Sequence, residues 1–321
     1  MIGGTRFIGR HAVEDLREHD YDVTTFTRGN DDYPFADADG VDHVTGDRTD
    51  REALAAAADE VDPDVVLDFV AYHPGEVETA CDLFADVEAY VYVSSVSAYD
   101  DLHVPLREDA TPIEPCDDEQ ATDDAPETYG ARKAEGDRVV AAAADRGVAA
   151  TSVRPALVYG PHDPTGRFDY WVSRVLNHDR VLVPGDGDAL LHRSFVADVA
   201  RAIRVVAEEG TPGEAYNAAD RRALSLDDTV ETIADVAGTD VEVVHAPPAA
   251  FEDTPLDPGD VPCYTPRPFL ASTAKLADLS WESTPVEEAV ERTVEWVESG
   301  AHESEDWPDR EAELAVMNAV E

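Results

Sequence analysis

Tyr129 and Lys133 stand four residues apart in Tyr-Gly-Ala-Arg-Lys. On a helix, positions i and i+4 share a face, so phenol and ammonium would address one cavity. A cation beside a phenol stabilises the phenolate and draws its pKa down from about 10. Such a tyrosine can give and take a proton near neutrality. The same spacing in an arbitrary helix is a surface contact worth a few tenths of a kcal/mol, roughly. Rarity singles this one out. The chain has two lysines, Lys133 and Lys275, against 22 arginines. A lysine kept where arginine is otherwise used is a candidate for work that needs a compact ammonium. Lys275, in Ser272-x2-Lys275, has no catalytic case, so retention alone proves nothing.

A second constellation opens the chain. Gly3-Gly4-Thr5-Arg6-Phe7-Ile8-Gly9 precedes an amphipathic segment, His11–His19. Glycines allow a tight turn and close approach of the backbone to a pyrophosphate, which then sits at a helix N-terminus. Val23–Thr27 reads as a strand ending about 18 residues after Gly9, where a ribose-reading residue belongs. That place holds Thr27-Arg28 rather than a carboxylate, with Arg6 in the turn. Two cations and no acid suit a 2′-phosphate, which favours NADP over NAD.

These groups need a scaffold. Val65–Ala71 and Ala89–Ser94 are nearly continuous apolar runs, the pattern of strands buried on both faces. Val148–Arg154 is a further strand. Ala53–Asp59, Val77–Phe84 and a segment opened by Pro126 and running to Asp145 read as helices between them. The alternation predicts an α/β fold with a doubly wound parallel sheet. Residues 100–127 and 246–268 read as loops. Further on, Arg167–His178, Val196–Glu209, Asp227–Ala237 and Pro285–Ser299 read as helices and Val241–Val244 as a strand. A dinucleotide-binding unit needs an apolar first strand before its glycines, and only Met1-Ile2 precede them here. The expectation is a natural product that begins a few residues upstream.

Taken together, these motifs resemble the extended short-chain dehydrogenases/reductases, in the NAD-dependent epimerase/dehydratase group. The resemblance covers nearly the whole length. Beyond the glycine turn and Tyr129-x3-Lys133, it rests on Gly46-Asp47, Ser94-Ser95-Val-Ser-Ala-Tyr99, Arg154-Pro155-x2-Val-Tyr159-Gly160-Pro161 and Pro184-Gly-Asp-Gly187. Arg193-Ser-Phe-Val196 with Asp198, Tyr216-Asn217, and Ser272-x2-Lys275 followed by Trp281 complete it. It implies a Rossmann-type domain over 1–160 and about 190–240. A smaller substrate-binding lobe would take about 161–189 and 241–300, and a C-terminal helical tail 301–321. It implies Tyr129 as acid/base, Lys133 holding the nicotinamide ribose, and Ser95 bonding the reacting oxygen. Gly3, Thr5, Arg6, Phe7, Ile8 and Gly9 would cradle the cofactor. Thr27 and Arg28 would meet its ribose, Asp47 its adenine with Arg48 beside it. Phe69, Val70, Ala71 and Pro155 would line the rest, with NAD or NADP as cofactor.

Departures narrow the substrate. Val96-Ser97 stand where the group's 4,6-dehydratases carry an Asp-Glu pair, so dehydration is disfavoured and Ser97 becomes a substrate contact. Arg193 matches a diphosphate-binding arginine. The second such arginine is replaced by Asp257-Pro258, with Arg174 and Arg267 as candidate substitutes, and Leu157 replaces a nucleotide-holding asparagine. A nucleotide-sugar is the substrate class implied. Arg6, Thr27-Arg28-Gly29 and Gly46-Asp47-Arg48 resemble a narrower branch that includes the chloroplast stem-loop RNA-binding proteins, which have lost the tyrosine. The rival reading is a non-catalytic nucleotide- or RNA-binding protein on this fold.

Composition weighs against that rival. Acidic residues number 71 against 24 basic, a formal net charge of −47, which offers no basic track for phosphates. Lysine depletion with such an acid excess is the surface of a protein built for a high-salt cytoplasm. At 43% hydrophobic residues in periodic blocks, the chain is not an acidic disordered one. Cys81, Cys116 and Cys263 are far apart, with neither metal nor disulfide spacing. No apolar run approaches a membrane span. The expectation is a cytoplasmic enzyme with a small-molecule substrate and no metal. The resemblance also implies a homodimer through long helices, including the one that carries Tyr129.

Overall fold

The structure, a computed structural model, describes residues 1–29, 33–100, 103–300 and 307–320. In chain order its elements are α1 (Phe7–Glu18), β1 (Val23–Thr27), β2 (Val41–Thr45), α2 (Arg51–Val61), β3 (Val65–Asp68), α3 (Pro74–Leu83), β4 (Ala89–Val93), α4 (Tyr129–Asp145) and β5 (Ala150–Pro155). There follow β6 (Leu157–Tyr159), α5 (Arg167–Asn177), β7 (Arg180–Pro184), β8 (Arg193–Phe195), α6 (Val196–Glu209) and β9 (Ala215–Ala218). The chain closes with α7 (Leu226–Ala237), β10 (Glu242–Ala246), α8 (Ala274–Ala277), α9 (Val286–Glu298) and α10 (Arg310–Val320).

The chain divides into two units. The first comprises Met1–Ala156, Val196–Ala219 and Ala271–Glu282. Its strands run β3-β4-β5-β9 and β1-β2, all parallel. Ile2 joins the two sets, bridging Phe26 on β1 and Asp68 on β3. The doubly wound α/β architecture follows from burial. Tyr90 and Tyr92 turn one way from β4, into a core with Leu54 and Ala57 of α2, Val77, Ala80 and Cys81 of α3, and Val140 and Ala143 of α4. On the other side α1 and α6 pack together, burying Val13 and Leu16 with Ile203 and Val206. The helix starts have local causes. Asp50 Oδ1 accepts the Glu52 and Ala53 amides at the head of α2, the capping arrangement that satisfies orphan donors.

Residues 271–282, placed in the substrate lobe from sequence, fold with the first unit. Trp281 Nε1 donates to the Asp198 carbonyl (3.1 Å) and Lys275 meets Glu214 beside β9. The second unit comprises Leu157–Phe195, Asp220–Leu270 and Ser283–Glu321. In it β7 pairs with β10 and β6 with β8, both parallel, and α5, α7 and α9 pack on one another. Residues 220–240 belong here rather than with the sheet. Of the tail read over 301–321, residues 301–306 and 321 lie outside the described residues. α10 is no tail: it is packed within the second unit, with Val316, Met317 and Glu313 fully buried. Among the described residues no helix is long and apolar enough to cross a membrane.

The acid excess lies on helix faces such as α9, where Glu287, Glu291 and Glu295 are exposed at i, i+4 spacing. Like charges so placed destabilise a helix, and salt shortens their reach from about 10 Å at 0.1 M to about 3 Å at 1 M. The thermal unfolding midpoint should therefore climb as KCl is raised from 0.1 M into the molar range. A midpoint indifferent to salt would remove the salt-adapted reading.

Candidate active site

The turn after Ser95 and the head of α4, which Tyr129 opens, pack on one another. After β4 the chain turns through a short 3-10 helix, Val96–Ala98, capped by Ser95 Oγ, which accepts the Ser97 amide at 3.1 Å. The Ser95 hydroxyl proton is still available to a ligand. The head of α4 backs onto this turn so closely that a Cβ on Gly130 would collide with the Ser97 carbonyl oxygen. Glycine beside the tyrosine is therefore a packing requirement. Ser95 is half-buried and Ser97 exposed.

Lys133, one turn into α4, is 2% exposed. Its ammonium donates to the carbonyls of Ala71 (2.9 Å), in the loop that follows β3, and Val93 (2.8 Å), at the carboxyl end of β4. It lies 5.8 Å from the Tyr129 ring centre, 4.7 Å from that of Tyr92 and 5.4 Å from that of Tyr72. Burial lowers its pKa to about 8, against the opposing pull of Asp68 and Asp137. One turn further on, the same face carries Asp137, which accepts from Ser94 Oγ (3.0 Å) and Arg154 Nε (2.8 Å). Asp137 thus ties the residues beside Ser95 and beside Pro155 to the lysine helix. The i+4 spacing from Lys133 was the signal that could have found it.

The glycine turn carries α1. A Cβ on Gly9 would sit 2.7 Å from Gly4 Cα, so only glycine lets the helix start this near the turn. No side chain caps α1 and its first turn holds no acid. That leaves the helix dipole and amides for an anion. Thr5, Phe7 and Ile8 are half-buried around it and Arg6 is exposed. At the end of β1, Thr27 Oγ1 pairs with His43 Nε2 (2.8 Å), and the His43 ring stacks on Tyr33 at 4.5 Å. The sequence reading missed both rings. Arg28 is exposed. Asp47 accepts the Thr49 amide and hydroxyl (2.9 and 2.8 Å), which hold its carboxylate below the ordinary value, with Arg28 contributing.

Arg48 departs from its expected place beside the adenine. It turns inward and forks onto Asp68, with Nη1 at 3.1 and 3.0 Å from the two carboxylate oxygens. The trace of this in the sequence is Asp68 itself, a carboxylate inside an otherwise apolar run. Phe69 and Val70 are half-buried, Ala71 and Pro155 buried. The Tyr216-Asn217 and Tyr99 motifs also hold rather than react. Tyr99 Oη donates to Asn217 Oδ1 (2.8 Å), and the Asn217 amide donates to the carbonyls of Leu106 and Ser272 (3.3 and 3.2 Å).

The three arginines expected at substrate all lie in the second unit, and they differ. Arg193 is 3% exposed; Nη1 donates to Thr229 Oγ1 (3.0 Å), while Nε and Nη2 have no hydrogen-bond partner among the described residues. A buried guanidinium with unmet donors is suited to an anion. Arg174 is instead spent inside its unit, with Nε at 2.8 and 3.1 Å from the Glu313 oxygens and Nη2 on the Pro308 carbonyl (2.8 Å). It is a structural ion pair rather than a substrate contact. Arg267 is exposed. Sequence reasoning missed Asp169, which is 1% exposed and has neither carboxylate oxygen partnered among the described residues. Burial, then the neighbouring Asp163, push its pKa up to about 7.

Comparison with known proteins gives the chain's family and fold. The sequence model of the NAD dependent epimerase/dehydratase family matches residues 1–84 and 77–219. The chloroplast stem-loop binding protein of 41 kDa b from Arabidopsis thaliana is 28% identical over 265 residues, 78% of this chain. The match spans 66% of the plant protein's own length, just under two-thirds. The fold is shared with dTDP-glucose 4,6-dehydratase from Bacillus anthracis, solved with NAD. The TM-score is 0.72 at 23% identity, over 95% of this chain and 97% of that one. It is shared equally with UDP-glucose 4-epimerase from Thermotoga maritima, solved with UDP-glucose, at TM-score 0.72 and 23% identity over 94% and 98%.

Proposed function

The chain belongs to the NAD dependent epimerase/dehydratase family, and on that premise we propose that it oxidises and re-reduces a secondary alcohol on a nucleotide-linked sugar or a similarly polar substrate. The observation that carries this is the buried Lys133 ammonium, held on two backbone carbonyls with the Tyr129 ring 5.8 Å away. The residues present fit a nicotinamide dinucleotide. No side-chain hydrogen bond caps α1 among the described residues, so its first amides suit a pyrophosphate, the turn before it is built of glycines that bring the helix start close, and Lys133 is the donor proposed for a ribose diol. The bound nicotinamide would accept and return hydride.

The chain's own groups do the rest. Tyr129 takes the hydroxyl proton as the alcohol becomes carbonyl, and returns it on reduction. Lys133 supplies a positive charge 5.8 Å from the centre of this ring, and a nearby cation favours the phenolate. Ser95 donates a hydrogen bond to the same oxygen. Arg193, with two unmet donors, is the candidate for the diphosphate. Val96 and Ser97 provide no carboxylate pair for eliminating water, so the reading favours epimerisation or simple dehydrogenation over dehydration. The plant relative's name speaks of stem-loop binding, but a net charge of −47 opposes phosphate binding along an extended track. The family's long helices would make the chain a homodimer.

Titration of the purified chain with NAD and NADP should give saturable binding, tighter for NADP because Thr27-Arg28 offers a cation and no acid. A panel of UDP-hexoses should then yield an epimer or a keto sugar. Failure of both dinucleotides to bind at millimolar concentration would overturn the reading.

A further inference from the structure

Arg48 reaches both ends of one loop. Nη1 binds the Asp68 carboxylate at the end of β3, and Nη2 donates to the Glu76 carbonyl (2.7 Å) in the first turn of α3. Asp68 is fully buried and also accepts Tyr90 Oη (3.0 Å) and the Val70 amide (3.2 Å). The Glu76 carboxylate closes the other end, accepting the amides of Tyr72 (2.7 Å) and His73 (3.0 Å). One guanidinium thus brackets the segment Phe69–His73, and the amides of Val70, Tyr72 and His73 are tied to the same two acids.

That segment touches both the glycine turn and the helix that carries Lys133. A Cβ on Gly3 would lie 3.1 Å from Val70 Cγ1 and 3.4 Å from Phe69 Cβ, so these side chains wall the glycine turn. The Ala71 carbonyl holds the Lys133 ammonium at 2.9 Å, and the Tyr72 carbonyl receives Arg132 Nη1 at 3.1 Å. A planar fork with fixed donor directions can set two anchor points at once, which a flexible ammonium cannot.

Resting on the dehydrogenase/epimerase reading above, we propose that Arg48 and Asp68 are positioning residues, which with Glu76 set the Phe69–His73 loop so that it walls the cofactor turn and presents Ala71 to Lys133. Neither touches the reacting atoms. Their effect passes through the loop.

The test uses Arg48→Met combined with Asp68→Asn, and separately Arg48→Lys. The double variant leaves no buried charge unpaired, a replacement that ion pairs commonly tolerate, and the new amide oxygen can still receive Tyr90. Arg48→Lys keeps a cation on Asp68 but cannot also reach the Glu76 carbonyl, so it remains informative if the double variant does not fold. Because the chain has only Lys133 and Lys275, brief acetylation read by mass spectrometry reports Lys133 against an internal standard, with no cofactor present. In a variant that still unfolds cooperatively, labelling of Lys133 relative to Lys275 should rise on the order of tenfold. Dinucleotide affinity should fall by a similar factor, the scale expected when a binding wall shifts by a fraction of an ångström. In Arg48→Lys, which keeps the Asp68 charge that acts on Lys133, a merely structural pair would leave both at the unaltered chain's values once folding is retained, and that result overturns the inference. If labelling rises but the unaltered chain binds no dinucleotide, loop positioning stands and the proposed function falls. If neither changes and nothing binds, both fall.

Discussion

Tyr129→Phe should fold, bind nicotinamide dinucleotide as the unaltered chain does, and turn over at least about a hundredfold more slowly, the usual scale for losing a general acid/base. The substitution removes one oxygen from the head of α4 and leaves the ring that packs 5.8 Å from Lys133. The Lys133 contacts with Ala71 and Val93 do not involve the phenol, so the helix and its lysine stay in place. What is lost is the phenol proton that the proposed chemistry moves. Steady-state kinetics beside a binding titration separate the two effects. Near-normal turnover with intact cofactor binding would remove Tyr129 from the chemistry.

Glu313→Ala should cost about 3–5 kcal/mol of stability, the range for removing one partner of a buried ion pair. Glu313 is fully buried and accepts from Tyr170 Oη (2.9 Å), Arg174 Nε (2.8 and 3.1 Å) and Arg310 Nη1 (2.7 Å). Arg310 in turn donates to the Arg180 carbonyl (2.8 Å). The single carboxylate therefore fastens α10 to α5 and β7, and its loss strands the buried Arg174 cation. Chemical denaturation of the variant measures the cost. Joint replacement by Arg174→Met and Glu313→Leu should recover much of it, since apolar groups of similar volume often replace a buried pair without loss. A single substitution within about 0.5 kcal/mol of the unaltered chain would show that α10 is dispensable to its unit.

The contrast between these two residues shows how far the sequence could be read. Tyr129, Lys133 and the glycine turn were legible because their chemistry is local. A helix places i and i+4 together wherever it lies, and a glycine turn before a helix leaves amides for an anion in any context. The parallel sheet was legible because strands buried on both faces must be apolar throughout. Asp68 breaks that pattern inside β3, yet its partner could not be named.

Arg48 sits beside Asp47 in sequence, and adjacency placed it at the adenine. Folding turns it onto a carboxylate 20 residues away. Arg174 was read as a substrate cation, and its partner Glu313 lies 139 residues on, in a segment with no motif. Adjacent residues point in different directions, and a buried charge is neutralised by whichever opposite charge the packed elements deliver. The sequence by itself determined the family, the sheet and the tyrosine–lysine face, all consequences of local spacing. Only the tertiary structure decided which arginines are spent on buried carboxylates and which, like Arg193, have donors unmet among the described residues, because long-range ion pairing leaves no periodic trace along the chain.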